Sequence, residues 1–371
     1  MKIGIVTYWQ DKSNYGQMLQ MFALQQFLRN HGHEPFLIRF KEDPVVQAHF
    51  RLSNLLKYVI NFPQYFKWYL SEKKHQQKLK RYAQKESQHE RYFDVFIEEN
   101  ITYTATVFTE DQLKKNPPEA DAYICGSDQI WGGRWTYYLD FAPEDKKIIA
   151  WAPSFGGMTC WNETYERHLS ALLKRFNFIG IREQSGVDVC HRLGRTDAIK
   201  VVDPTLLLDI SDYDKIRKPV KADKPYAVVY ILKNNMACSL EDIFRYVQGL
   251  GLEIMFINNS EQGDEYEQVF PSVGEWIDMF AKSSLVITNS FHATVFALLY
   301  ERPFVTIPLV GNYSRMNNRI EELLAASNLS DRICQVAFTK ISQSVDFSFF
   351  RMYHDSEKEK SINCLRPHIS V

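Results

Sequence analysis

Short apolar runs alternate with longer stretches whose apolar positions recur at helical spacing, from the first residues to Ile307. That alternation predicts parallel strands covered by helices. Ile3–Val6 reads as the first strand, Thr7 to Gly16 as a polar loop, and Leu19, Phe22, Leu24, Phe27 and Leu28 as one face of a helix stopped near Gly32. Further strands are predicted at Pro35–Ile38, Ala122–Cys125, Ile148–Ala152, Phe178–Ile181 and Lys200–Val202, with a helix around Ser185–Leu193. Asp203-Pro204 and the Lys-rich stretch Asp209–Lys224 read as a hinge or linker. A second α/β unit follows. Its strands are Tyr226–Leu232, Glu253–Asn258, Leu285–Thr288 and Phe304–Ile307, and its helices are Ser239–Leu250, Glu275–Ser283 and Ser290–Tyr300. A Ser-x-x-Asp cap opens the first of these helices. The domains are drawn at residues 1–208, with a helical insertion over about 50–99, and at 224–340, followed by a helical tail over 341–371.

Composition changes this picture little. A chain of 371 residues suits about two domains, and 45% apolar with 24% charged residues is an ordinary globular balance. The net charge of −1 gives no global reason to expect a nucleic-acid partner. The six cysteines lack C-x-x-C spacing and mostly lie in apolar runs, so they read as reduced core residues. Met1–Val6 is a strand rather than a signal peptide, and no run approaches the ~20 apolar residues that span a bilayer. The expected setting is the cytoplasm.

Four strand ends and one strand–helix joint carry chemistry. Asn14-Tyr15-Gly16-Gln17 opens the first helix at the carboxyl edge of a doubly wound sheet, where ligands bind. Free N–H groups there favour an anion, and Gly16 allows close approach; the alternative is a plain capped turn. Gly126-Ser127-Asp128-Gln129-Ile130-Trp131 follows another strand. Asp128 suits a general base toward a sugar hydroxyl and Trp131 a stacking platform, against a helix cap and a core indole. Ser154-Phe155-Gly156-Gly157 brings a third small-residue loop to the same edge. Arg182 offers a bidentate fork for phosphate or carboxylate, against a salt bridge to Glu183 or another local carboxylate. In Thr288-Asn289-Ser290-Phe291-His292, Asn289 and Ser290 fall near an N-cap and His292 in the first helical turn, placed to meet an anion or move a proton.

At these residues the chain resembles the polysaccharide pyruvyl transferase family. The resemblance lies in Asn14-Tyr15-Gly16-Gln17 with Leu19 to Gln25, Gly126-Ser127-Asp128-Gln129-x-Trp131, and Ala152-Pro153-Ser154-Phe155-Gly156. Arg182-Glu183-x-Ser185-Gly186, Asp203-Pro204-Thr205-Leu206-Leu207, and Ser290-Phe291-His292 with Ala297-Leu298 complete it, in family order over about residues 1 to 330. The resemblance implies two Rossmann-like domains facing a cleft, as in the B-type glycosyltransferase fold. It implies a transferase that moves the pyruvyl group of phosphoenolpyruvate to two hydroxyls of a sugar, with no cofactor and no metal. By the family pattern Asp128, Arg182 and His292 land in that cleft. Other members carry Arg-Leu-His-Gly where this chain has Ser290-Phe291-His292-Ala293, so a cation is missing there, and Arg315 or Arg319 is the expected replacement.

The roles expected are then definite. Arg182 and the helix start at Asn289-Ser290 take the donor's anionic groups, His292 serves as acid or phosphate partner, and Asp128 orients or deprotonates the acceptor hydroxyl, with the roles of His292 and Asp128 exchangeable. Asn14, Gly16, Ser154, Trp131, Arg315 and Arg319 complete the substrate-binding set. The acceptor is a sugar of a surface polysaccharide or its precursor, free or lipid-linked. Two other readings share the fold: a nucleotide-sugar glycosyltransferase and a non-catalytic scaffold of polysaccharide assembly. The insertion is basic from Arg51 to Arg81, with Leu55, Leu56, Val59, Phe62, Phe66 and Tyr69 at near-helical intervals. It reads either as helices packed on the first domain or as a peripheral contact with the inner membrane face.

Overall fold

A computed structural model describes residues 1–11, 13–41, 89–233, 235–258, 266–334 and 344–369, together with residues 73, 80, 84 and 87. The basic stretch read as a packed or membrane-facing helical segment therefore lies outside the described residues, apart from those isolated positions. No described helix is long and apolar enough to cross a membrane.

The first sheet contains β1 (Lys2–Val6), β2 (Glu34–Leu37), β5 (Ala122–Cys125), β6 (Lys147–Trp151), β7 (Phe178–Ile181) and β8 (Ile199–Lys200), in the order β2-β1-β5-β6-β7-β8. Every pairing in it is parallel. β3 (Phe40–Lys41) and β4 (Phe108–Thr109) form a separate parallel pair that sequence periodicity did not reveal. The second sheet contains β9 (Tyr226–Ile231), β10 (Glu253–Asn258), β11 (Leu285–Thr288) and β12 (Phe304–Thr306), also all parallel, in the order β10-β9-β11-β12. Strands such as Ala122–Cys125 and Leu285–Thr288 are buried at every position, which explains their unbroken apolar runs. In each sheet the strand order reverses once, between β1 and β5 and between β9 and β11. Those reversals open the crevices where doubly wound sheets bind ligands.

The helices are α1 (Tyr15–Asn30), α2 (Phe93–Asn100), α3 (Glu110–Lys115), α4 (Glu163–Leu173), α5 (Gln184–Arg192), α6 (Ile210–Asp214), α7 (Leu240–Gly249), α8 (Val273–Lys282), α9 (Phe291–Leu299), α10 (Asn318–Ala326) and α11 (Ser348–Ile369). Ser239 caps α7 through the amide of Asp242, as the Ser-x-x-Asp pattern predicts. α1 is buried nearly all round because it runs beneath one sheet and against α8 and α9 of the second unit. Its buried glutamines replace water for the loops around it. Gln20 accepts from the Ser127 amide and donates to Thr7 Oγ1, while Gln25 exchanges hydrogen bonds with the backbone of Thr102.

Two stretches read as linker do more than link. Pro204–Leu206 is a 3₁₀ turn, and within Asp209–Lys224 the ring of Tyr213 is fully buried, its hydroxyl donating to the Thr205 carbonyl. α11 returns across this region. Ser361 Oγ accepts from the Val202 amide, His354 pairs with the Leu206 carbonyl and Lys358 with Asp209. The six cysteines are free, and burial pushes the Cys190 thiol up to about 12. Cys160 is exposed, against the expectation of core placement.

Candidate functional site

The site is built where the two crevices face each other. Asn14 caps α1 by accepting from the Gln17 amide, and the next residue locks the helix into the second unit. Tyr15 stacks on Trp276 of α8 with ring centroids 5.5 Å apart, and its hydroxyl donates to the Pro271 carbonyl at 2.6 Å. Gly16 then lies directly under His292. A Cβ at this position would run into the imidazole ring. The close approach that Gly16 permits is therefore that of His292 rather than of a ligand, which corrects the role expected for it.

β5 is followed directly by Gly126, where φ is +123° and any side chain would collide with the Trp151 carbonyl. Two residues on, Asp128 is held at φ +80°, in the left-handed region that an aspartate enters at a cost, and such strain collects at functional positions. Its carbonyl accepts from the amides of Ile130 and Ser154, which fixes this loop to the one after β6. Asp128 Oδ1 accepts from the Gln129 amide and lies 3.8 Å from Arg182 Nη2.

Arg182, at the end of β7, is the hub. Its Nη1 donates to Asp203 Oδ2 at 3.1 Å, and its Nε lies 3.9 Å from Glu183 Oε2. The salt-bridge alternative is thus realised, with Asp203 as the partner. It does not exhaust the guanidinium: Nε and Nη2 are buried without a hydrogen-bond partner, as are Glu183 Oε2 and His292 Nε2. Asp203 accepts in addition from Ser127 Oγ at 2.6 Å and from the amide and hydroxyl of Thr205, and sits 3.7 Å from His292 Nε2. Burial opposes its ionisation, but the imidazole of His292, the charge of Arg182 and the Ser127 hydroxyl together hold the carboxyl well below the usual carboxylate range.

The second unit contributes its helix start. Ser290 caps α9 through the Ala293 amide, so His292 occupies the first turn as its sequence position predicts. Arg182 and Arg319 both approach the Phe291 ring, their guanidinium carbons 5.0 and 5.7 Å from its centroid. Arg319 has no ion pair with a described residue. Desolvation first, and the neighbouring charge of Arg182 second, bring its pKa down to about 10, while part of its side chain still meets solvent. Arg315 is exposed and packs its stem against Gly157 across the cleft.

Other expected binding residues are occupied elsewhere. Trp131 is fully buried, stacked on Tyr138 and bonded to the Tyr137 carbonyl, so it is core and offers no face to a sugar. The Asn289 amide both accepts from the Leu232 backbone and donates to the Lys233 carbonyl, pinning the end of β9. Ser154 is buried with its hydroxyl accepting from the Gly156 amide. Asp203, Ser127 and Glu183 went unselected as site residues, although each stands in a motif quoted above. Among the described residues no His, Cys, Asp and Glu group is arranged to hold a metal ion.

The model of one family, polysaccharide pyruvyl transferase, matches residues 14–309. The chain belongs to that family. The match spans Asp128, Arg182, Asp203 and His292, and it ends before Arg315 and Arg319, so of the two guanidinium groups beside Phe291 only Arg319 comes from beyond the matched segment. No curated protein sequence matches the chain. Solved structures similar to it include a putative UDP-N-acetylglucosamine 2-epimerase from Listeria monocytogenes, with 11% identity, TM-score 0.48, and 99% of this chain and 94% of that one covered. The S. aureus MnaA–UDP co-structure gives 11%, 0.49, 99% and 94% in the same terms. The glycosyltransferase SsfS6 from Streptomyces sp. SF2575 gives 11%, 0.38, 99% and 94%. In this pyruvyl transferase family member both main sheets are all-parallel, and each reverses its strand order once.

Proposed function

We propose that this chain transfers the pyruvyl group of phosphoenolpyruvate to two hydroxyls of one sugar in a surface polysaccharide or its precursor, on the cytoplasmic side of the membrane. The observation that carries the reading is the group of buried polar atoms at the seam that lie at ion-pair distance from one another or from Asp128 and Asp203 yet make no hydrogen bond: Arg182 Nε and Nη2, Glu183 Oε2 and His292 Nε2. Buried polar atoms are costly unless paired, so a polar ligand that pairs with them gains from an arrangement already built. A second guanidinium, Arg319, shares the Phe291 ring with Arg182, and two cations suit a donor that carries both a phosphate and a carboxylate. We assign Arg319 the place of the cation missing before His292. Exposed Arg315 keeps only a rim position.

The chemistry balances without water or an electron carrier. One sugar hydroxyl adds to the central enol carbon while a proton reaches the methylene, which becomes the methyl group. The bond from that carbon to the phosphate oxygen then breaks, the second hydroxyl closes the ketal, and its proton leaves with phosphate. His292, whose Nε2 is buried, handles the proton on the donor side. Asp128, with 14% of its side chain exposed, faces the incoming acceptor and takes the hydroxyl proton. Asp203 is the fixed anion that aligns Arg182 and His292.

Phosphate release from phosphoenolpyruvate, measured with extracted surface glycan as acceptor, tests this. Wild-type protein should release phosphate in step with ketal formation, and Arg182→Lys should lose at least about a hundredfold in kcat/KM, because a point charge does not reproduce a planar fork. Release of nucleotide from a nucleotide sugar, with phosphoenolpyruvate untouched, would replace this reading with the glycosyltransferase one.

A further inference from the structure

Beside the loop from Trp9 to Asn14 lie two cavities. One, of about 650 Å³, is lined by Gln10, Asp11, Ser13, Glu90, Tyr92 and Asp94 among others. The other, of about 520 Å³, is lined by Trp9, Gln10, Arg39, Asp94, Glu98 and Tyr103 among others. They share Gln10 and Asp94, so they adjoin along one groove-like face. Each is in the size range that takes a ligand larger than a single sugar ring.

Tyr92 makes the groove more than a surface hollow. It is 49% exposed, yet its backbone sits at φ +53°, a left-handed conformation that non-glycine residues avoid. Its neighbours explain how it is held. Arg91 is buried over the Phe270 ring at 4.8 Å, and Phe93 is buried against Tyr15. With both flanking side chains anchored inward, the left-handed turn presents the phenol outward on a rigid stem. Tyr92 opens α2 as its N-cap residue, and half of its amphipathic ring is left free to stack. At the other end the Arg39 guanidinium lies over Trp9 and Tyr103, 5.8 and 4.2 Å from their centroids, and fixes both half-buried rings. The rest of the lining includes the Gln10 carboxamide, the carboxylates of Asp11, Glu90, Asp94 and Glu98, and the basic His89 and Lys41, which suit hydroxyls rather than an apolar partner.

We infer that this groove is the subsite for the neutral glycan chain that carries the acceptor sugar, with Tyr92 as its stacking platform. The loop joins groove to cleft: it ends at Asn14, the cap of α1, and the second residue of that helix, Gly16, packs under His292. A chain lying along the groove delivers its terminal sugar toward Asp128 and His292. The inference rests on the proposed pyruvyl transfer for which end reacts, but glycan binding is read without phosphoenolpyruvate, so failure of the transfer and failure of the groove are separately visible.

The test is binding of the fluorescently labelled full chain to an array of microbial surface oligosaccharides. Tyr92→Gly removes the ring and suits the left-handed backbone, so folding is preserved. Wild-type protein should bind extended oligosaccharides in preference to their monosaccharides, and Tyr92→Gly should bind them about tenfold more weakly with an unchanged or raised melting temperature. Absence of bound glycan, or equal binding by Tyr92→Gly, would overturn the inference.

Discussion

Asp203→Asn is the substitution on which the site's construction depends most. The carboxylate is essentially inaccessible and accepts from Ser127 Oγ, Arg182 Nη1, the Thr205 amide and the Thr205 hydroxyl, with His292 Nε2 3.7 Å away. The carboxamide keeps the shape, removes the charge, and turns one accepting oxygen into a donor facing donors. Arg182 then loses its hydrogen-bonded counter-charge while remaining buried, a change that costs about 3–5 kcal/mol when one charge of a buried pair is removed. Removing both charges in Arg182→Met/Asp203→Asn should cost about 1–3 kcal/mol less than the sum of the single changes, because neither member of this pair is then left buried without the other. The pH dependence follows from the depressed carboxyl. A group held below its unfolded pKa of about 3.9 contributes its full stabilisation above that value and loses it as pH falls through the folded value. The difference between wild type and Asp203→Asn should therefore be complete above about pH 5 and shrink below about pH 4. Urea unfolding followed by tryptophan fluorescence at several pH values measures all of this. A cost under about 1 kcal/mol at pH 7, or one that does not fall in acid, would refute the reasoning.

Three further outcomes follow from the same geometry. Gly16→Ala forces the His292 ring to move, so turnover should fall at least about tenfold while stability drops by only about 1–3 kcal/mol; kcat and a melting curve check it, and unchanged turnover would deny the contact a positioning role. Arg319→Gln should raise the KM for phosphoenolpyruvate about tenfold or more and Arg315→Gln should leave it nearly unchanged, which steady-state kinetics on both variants will decide. Trp131→Phe loses a buried N–H bond and part of a stacked core, so it should destabilise by about 1–3 kcal/mol without changing the KM for the acceptor; a raised acceptor KM with unchanged stability would return Trp131 to the sugar site.

The strands that build the two crevices were legible because they are buried on both faces, and an unbroken apolar run as short as Ala122–Cys125 suits a central strand and is too brief for a buried helix. Helix starts at Ser239 and Ser290 were equally legible, since capping is local chemistry. The short β3–β4 pair left no periodic signal, as two residues are too few to set a period. The candidate site was legible in its chemistry and illegible in its assembly. Arg182 and His292 announce themselves by residue type at a strand end and a helix start, and the fold brings both to one carboxylate. That carboxylate, Asp203, precedes a proline and a polar stretch, so it reads as part of a hinge; its partners come from positions 127, 182, 205 and 292. Trp131 misled for the opposite reason, because neighbours in a motif need not point to the same side. Asn289 likewise holds the backbone after β9, a use that only the pairing of β9 with β11 creates.

Mass spectrometry of the surface glycan from source cells that carry or lack the intact chain tests the central claim most directly. The account predicts an acid-labile pyruvyl ketal on one sugar of the glycan, absent when the chain is removed, restored by the wild-type chain and not restored by Arg182→Lys or His292→Ala. The same ketal content with and without the chain would contradict it.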